Sequence, residues 1–360
     1  MRRLRTTAAL VVLTVLGCSV AHATGSGRLD IYFIDVEGGQ STLIITPARE
    51  SLLIDAGWAG LGDFESRPGD PARARDPARI VAAMRDAGVE RIDYLLVTHF
   101  HRDHIGGIPE LAQLVPIRTF IDHGSAYPPA DRAKPNLVDP LDAEAYDDYV
   151  AVRARGRHLL PRPGDQLPLK GVRTVVVSAD LSILRRALPG SGKRNRACAP
   201  SPLMTSYPGD ENLRSTGLVL ELGKFRFLDV GDLIGQPLFD LVCPRDLIGA
   251  IDVYLVAHHG NLDAADPATL AAFRPRATVI NNAPRKGGRL ATLRMLRAAQ
   301  AVDSWQLHIS DEGGDDNAPL ELIANLDQAS AHWLKVTARA DGSFTVTNGR
   351  TGLAKYYAAH

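Results

Sequence analysis

Four side chains able to hold a metal ion fall within six residues: His99, His101, Asp103 and His104, in Thr98-His99-Phe100-His101-Arg102-Asp103-His104. Ile92 to Val97, just upstream, is a short apolar run that reads as a buried strand. Downstream, Gly106-Gly107 and then Ile108 to Leu114 read as the start of a helix. The cluster therefore sits on a strand-to-helix turn, where side chains from one tight loop can converge. Imidazole and carboxylate together suit zinc, with manganese and iron as the alternatives. A lone histidine is usually structural, whereas three with an aspartate at this density predict a metal site.

The chain around this turn reads as mixed α and β. Leu29–Ile34, Ser41–Thr46 and Leu52–Ile54 form a predicted meander that delivers Asp55 to a strand end. Asp76-Pro77 looks like a helix cap followed by proline, and Ile80, Val81 and Met84 fall at helical spacing. Pro116–Ile121 is a strand ending at Asp122-His123. His123 reads either as a loop histidine or as one that approaches the metal turn. Thr216–Leu222 and Phe225–Val230 form a hairpin ending at Gly231-Asp232, and Ile251–Ala257 a strand ending at His258-His259. Strand and helix then alternate twice. Leu334–Thr337 and Ser343–Thr347 predict a closing hairpin. The least regular stretch, Pro189–Asn212, carries Lys193, Arg194 and Arg196, which either meet an anionic substrate or cover a solvated loop.

The N-terminus reads as a secretory leader. Arg2, Arg3 and Arg5 precede an apolar run from Ala8 to Gly17, and Ala21-His22-Ala23 offers a cleavage site after Ala23. A loose lipobox at Leu16-Gly17-Cys18 gives the rival reading of a lipoprotein. Either way the mature chain is expected to be periplasmic or secreted, without a membrane span. Losing the leader takes the basic residues from 41 to 38 against 41 acids, a net of −3, so charge gives no mandate for nucleic-acid binding. Cys198 and Cys243 remain, as a disulfide or as two thiols.

The motifs, in order, resemble the metallo-β-lactamase-fold hydrolases: Asp55 in Leu53-Ile54-Asp55-Ala56-Gly57, the His99–His104 run, Gly231-Asp232, and His258-His259-Gly260. They look most like the competence-protein-like (ComEC-type) branch, with Asp35-Val36-Glu37-Gly38-Gly39-Gln40 a near match to its first motif. The resemblance implies a four-layer αββα sandwich over residues 28–330, with 331–360 a hairpin extension packed on the same domain. It also implies two ions, most simply zinc. His99 and His101 would hold one, Asp103 and His104 the other, and Asp232 would bridge them. Adjacent residues on an extended chain point to opposite sides, so one of the last two histidines is expected to ligate. His259 is taken as the ligand and His258 as a proton donor or substrate contact, with Asp103 also orienting the nucleophile. Asp55 is expected to position the turn. Many members place another histidine before the bridging aspartate, but nothing between His158 and Asp232 is histidine. Asp210, Glu211, Asn212 and His123 are the substitutes at hand.

The function so implied is hydrolysis by metal-activated water of a phosphoester, most of all a phosphodiester, nucleic acid included. The alternatives are an acyl hydrolase of lactonase or β-lactamase type on the same scaffold and a non-catalytic periplasmic binding protein.

Overall fold

The computed structural model describes residues 27–59, 75–126, 138–199, 209–264, 266–299 and 302–359. The expected leader, with Cys18, lies outside the described residues, as do 60–74 and 127–137.

In chain order the elements begin with β1 (Arg28–Phe33), β2 (Thr42–Ile45), β3 (Ser51–Ile54), α1 (Arg75–Ala87) and β4 (Ile92–Leu96). The metal turn follows, holding α2 (Arg102–Ile105) and α3 (Ile108–Leu114), then β5 (Ile117–Ile121), α4 (Pro140–Arg153) and β6 (Arg157–Leu159). The second half contributes β7 (Arg173–Ala179), β8 (Ser182–Ile183), β9 (Gly217–Leu222), β10 (Phe225–Asp229), α5 (Gly235–Val242) and β11 (Val253–Leu255). It continues with α6 (Pro267–Phe273), β12 (Ala277–Ile280), α7 (Leu290–Ala298), β13 (Asp303–His308) and β14 (Ile323–Asn325). The chain closes with β15 (Leu334–Arg339), β16 (Phe344–Asn348) and β17 (Ala354–Tyr357).

Among the described residues these strands form two sheets. One runs β17-β16-β15-β1-β2-β3-β4-β5-β6, the other β14-β13-β12-β11-β10-β9-β7-β8. Period-two alternation explains how they stack. On β1, Leu29, Ile31 and Phe33 point between the sheets, where Phe33 meets Phe227 edge-on at 5.8 Å. Tyr32 points the other way, under Ile80 and Met84 of α1 and Leu111 of α3. On the second sheet Leu228 and Tyr254 lie under Leu241 of α5, Phe273 of α6 and Leu293 of α7. Three apolar layers separate four structural ones, giving the αββα arrangement.

Two expectations need correction. The C-terminal segment is more than a hairpin: β17 adds a third strand, and β15 pairs with β1 along its whole length, from Arg28↔Arg339 to Phe33↔Leu334. Residues 331–360 therefore continue the first sheet rather than pack onto it. Asp76 lies inside the first turn of α1, where it is buried. Its Oδ2 accepts a hydrogen bond from the Trp58 N–H at 2.8 Å, anchoring the loop before the helix. Cys198 and Cys243 form a disulfide.

Candidate metal centre

β3, β4 and β5 run parallel, as do β10, β11 and β12. Parallel strands carry their loops out at their C-terminal ends, where open α/β sheets build sites. There lie Asp55 after β3, the His99–His104 turn after β4, His123 after β5, Asp232 after β10, and His258-His259 after β11. Close backbone approach brings these loops together. A Cβ on Gly107 would lie 2.2 Å from the Ala56 carbonyl oxygen, and one on Gly39 2.3 Å from that of Asp103. Only glycine admits the Asp55 loop and the 35–40 loop to the metal turn. Gln40 ties them further: its N–H donates to the Asp103 carbonyl at 3.1 Å, and its amide donates to both Asp229 oxygens at 3.2 and 3.1 Å.

Asp232 lies at the centre. Its Oδ2 is 3.2 Å from His259 Nε2, 3.3 Å from His104 Nε2, 3.8 Å from His258 Nε2 and 3.9 Å from His99 Nε2. Asp103 Oδ2 adds contacts of 3.4 Å to His104 Nε2 and 3.2 Å to His259 Nε2. Donor atoms of Asp103, His104, Asp232 and His259 all fall within 4.8 Å of one another. His99 Nε2 faces His101 Nδ1 at 2.9 Å beside this group.

The donor chemistry fits a divalent cation. Nε2 of His104 and of His259 and Oδ1 of Asp232 are buried without hydrogen-bond partners among the described residues. Each such atom costs roughly 1–3 kcal/mol, and a cation shared among them would remove that cost. Burial works against charge on Asp232, but His259, His104 and His258 outweigh it and hold its carboxyl well below the usual range. For Asp103, Lys286 and His104 likewise outweigh burial. Burial, with His104 and His101 adding to it, holds His99 well below the usual histidine range, leaving a neutral imidazole able to ligate.

Asp55 is fully buried and bonds to the turn itself. It accepts from Thr98 N–H at 2.8 Å and Thr98 Oγ1 at 2.7 Å, and pairs with His104 Nδ1 at 2.7 Å. That last contact leaves His104 Nε2 facing Asp103 and Asp232, so the carboxylate orients the histidine from behind.

The final two histidines are not on extended chain. His258 (φ 49°, ψ 46°) and His259 (φ 54°, ψ 17°) are both left-handed. Two such residues in a row cost roughly 1–2 kcal/mol each. Neighbours hold them there: His258 N–H donates to Gly231 O at 3.1 Å, and Gly288 N–H to His259 O at 2.8 Å. Alternation on an extended chain therefore does not separate the two, and their burial differs instead. His259 is fully buried against the carboxylates, while His258 is partly exposed and pairs through Nδ1 with Asp263 Oδ1 at 2.8 Å.

His123 stands outside the donor cluster. Its Nε2 pairs with Glu211 Oε1 at 2.7 Å, and its ring packs 4.3 Å from Phe100. The same Glu211 oxygen accepts from the Phe100 N–H at 3.2 Å, so His123 and Glu211 brace the turn from outside. Asp210 caps its own turn by accepting from Asn212 N–H at 3.0 Å. Asn212 lines a cavity of about 230 Å³ shared with His101, Asp103, Asp232, His258, Trp58 and Lys286, and its Oδ1 is buried without a hydrogen-bond partner among the described residues. Sequence reasoning missed Lys286, whose ammonium contacts Asp103 Oδ2. It also missed Asp229, whose carboxyl burial pushes up to about 7. The only hint of Asp229 was its place at the strand end three residues before Asp232.

Two facing sheets cased in helices, with a histidine–aspartate cluster on the loops at one edge, define an αββα protein with a candidate metal centre. The family model described as the metallo-beta-lactamase superfamily matches residues 34–280, and the chain belongs to that superfamily. The hydroxyacylglutathione hydrolase of Alkalilimnicola ehrlichii is 36% identical over 66 residues, covering 18% of this chain and 23% of that protein. The atrochrysone carboxyl ACP thioesterase of Aspergillus terreus is 32% identical over 78 residues, covering 22% of this chain and 20% of that protein. The chain thus spans about a fifth of the length of the curated relatives it matches. The metallo-beta-lactamase fold protein YhfI from Bacillus subtilis aligns over 78% of this chain and 95% of its own at 11% identity, with a TM-score of 0.43.

Proposed function

We propose that the protein is a secreted metal-dependent hydrolase of phosphoesters, most of all phosphodiesters, in the competence-protein-like branch of its superfamily. The observation that carries this is the placement of Asp232 Oδ2 among four imidazole nitrogens at 3.2–3.9 Å. One carboxylate so placed can serve two ions. His99 and His101 would hold the first, Asp103, His104 and His259 the second, and Asp232 both. Zinc suits this set, with manganese or iron as alternatives. Held by these residues, a divalent ion would supply an acidified water, with a pKa toward about 7, and positive charge to offset that on a phosphoryl oxygen.

The chain's own groups do the rest. Asp55 and Asp103 fix the direction of the donors. Asp263 holds the His258 ring so that Nε2 faces the cavity, where it can pass a proton to the leaving oxygen. Secretion is supported by the leader-like first 23 residues and by the Cys198–Cys243 bridge, since disulfides persist in oxidising compartments. Among the described residues no helix is long and apolar enough to cross a membrane. We place residues 28–360 in one catalytic domain.

The test is turnover of bis-p-nitrophenyl phosphate with added zinc or manganese, alongside metal analysis. Wild type should turn over, while Asp232→Ala and His101→Ala should lose activity with an unchanged circular dichroism spectrum. Turnover of a lactone, a thioester or nitrocefin but of no phosphoester would favour the acyl-hydrolase reading, which the names of the two curated relatives support. Protein that binds no metal would favour a non-catalytic binding protein.

A further inference from the structure

Lys286 is a cation in the cavity that the donor set does not explain. It stands on the loop after β12, and that loop is fixed to the site. Ala283 N–H donates to the Lys286 carbonyl at 2.8 Å, and a Cβ on Gly287 would lie 2.2 Å from the His259 carbonyl oxygen. The Trp58 ring lies under the ammonium, 4.6 Å from Nζ to the centroid. Trp58 is itself held by Asp76, and its Nε1–H donates to the Glu37 carbonyl at 3.3 Å. The side chain is one-third exposed, opening to the cavity with His101, Asp232 and His258. Among the described residues Asp103 is the one carboxylate within salt-bridge distance of it.

We propose that Lys286 is the residue that binds a phosphoryl oxygen of the substrate, so that the ester cleaved here carries a negative charge beside the scissile bond. This role rests on the hydrolase reading above and follows from charge. Four carboxylates line the cavity, Asp103, Asp139, Asp142 and Asp232, with Asp139 and Asp142 both paired to Arg102; against them stand Arg102, Lys286 and four positive charges from a pair of divalent ions, a net of +2. Once Asp103 serves an ion, the ammonium loses its one salt-bridge partner among the described residues, while the indole face and the rigid loop keep it in the cavity. A site with that surplus of positive charge recruits an anion. A neutral lactone or thioester leaves the ammonium unpaired, whereas a phosphodiester presents two non-bridging oxygens and a formal negative charge. Tetrahedral phosphate oxygens suit a point-charge ammonium with three rotatable donors.

The test reads binding rather than turnover. The zinc-loaded full chain is titrated calorimetrically with inorganic phosphate and, separately, with acetate, as wild type, Lys286→Gln and Lys286→Arg, with metal content measured on each sample. Phosphate should bind wild type more tightly than acetate does. Lys286→Gln should weaken phosphate binding about tenfold or more, the loss of one charge-assisted contact. Lys286→Arg should stay within about threefold of wild type. Metal content should not change. Phosphate binding equal in wild type and Lys286→Gln overturns the proposal, as does acetate binding as tight as phosphate. A changed metal content also overturns it, since Lys286 would then serve only to hold Asp103. If Lys286-dependent phosphate binding is found in a protein that turns over no phosphoester, the anion site stands and the phosphodiesterase reading alone falls.

Discussion

Asp55→Asn changes one buried atom and should weaken metal binding from behind the ligand. In the wild type, Oδ1 takes the Thr98 N–H, while Oδ2 takes the Thr98 hydroxyl and faces His104 Nδ1, all within 2.7–2.8 Å. The imidazole must then carry a proton on Nδ1, which frees Nε2 to bind an ion. An asparagine whose oxygen stays on the Thr98 N–H turns one N–H donor toward the Thr98 hydroxyl oxygen and the other toward His104 Nδ1. The ring can accept the latter only by moving its proton to Nε2, which removes the lone pair that the metal needs. The flipped amide instead sets a donor against the Thr98 N–H and leaves a buried donor unpaired, at roughly 1–3 kcal/mol. Loss of such a supporting partner typically costs about 10–100-fold in metal affinity, or about 1.4–2.7 kcal/mol. Competition against a zinc chelator, with circular dichroism as the check on folding, measures it. Zinc affinity within about threefold of wild type in a folded Asp55→Asn protein would refute the orienting role of this carboxylate.

Asp229→Asn should change how the metal-free protein responds to pH. The Asp229 carboxyl is pushed up to about 7 chiefly by burial, against an ordinary value of 3.8. Between these values the folded chain keeps the proton that the unfolded chain has released, so stability falls as pH rises toward 7 and is level above it. The difference amounts to about 4 kcal/mol, and the variant should gain up to that much at pH 8 and little near pH 4. Equal gains at both pH values in denaturant titrations would contradict this. Removing the disulfide with Cys198→Ser and Cys243→Ser, 45 residues apart, should cost about 4 kcal/mol of unfolding free energy in the chain-entropy account. An unchanged denaturation midpoint would argue that the bridge does not form. His258→Ala should slow cleavage of alkyl phosphodiesters by about 10²–10⁴-fold, the usual range for a lost general acid. It should slow p-nitrophenyl esters far less, because that leaving group departs without a proton; equal losses on both would remove the proton-donor role.

What could be read from the chain alone was whatever lies close together in sequence or at a strand end. The metal turn announced itself because its donors are packed into six residues. Asp55, Asp232 and the His258-His259 pair stood out through the family resemblance of their motifs, each at the end of a short apolar strand. Lys286 gave no such signal: it lies 183 residues from the Asp103 it touches, in a Pro-Arg-Lys-Gly-Gly loop that reads as an ordinary turn. Glu211 stands 111 residues from the Phe100 amide it accepts from and 88 from His123, so its bracing role comes only from the packing of the sheets. The left-handed backbone at His258 and His259 was equally hidden, since what holds it is a carbonyl on the turn after β10 and a glycine loop. The third C-terminal strand escaped because Ala354–Tyr357 is too short and too exposed to show alternation.

The pairing of β15 with β1 has a consequence for biogenesis. A nascent chain makes β1 first, yet its outer neighbour lies roughly three hundred residues further on. Until residues 334–339 arrive, β1 presents a bare row of amides and carbonyls, a template for joining other chains. The loop that leaves this strand carries Gln40, which grips Asp229. Removal of the last thirty residues should therefore yield aggregates rather than a smaller enzyme, although no metal donor would have been touched.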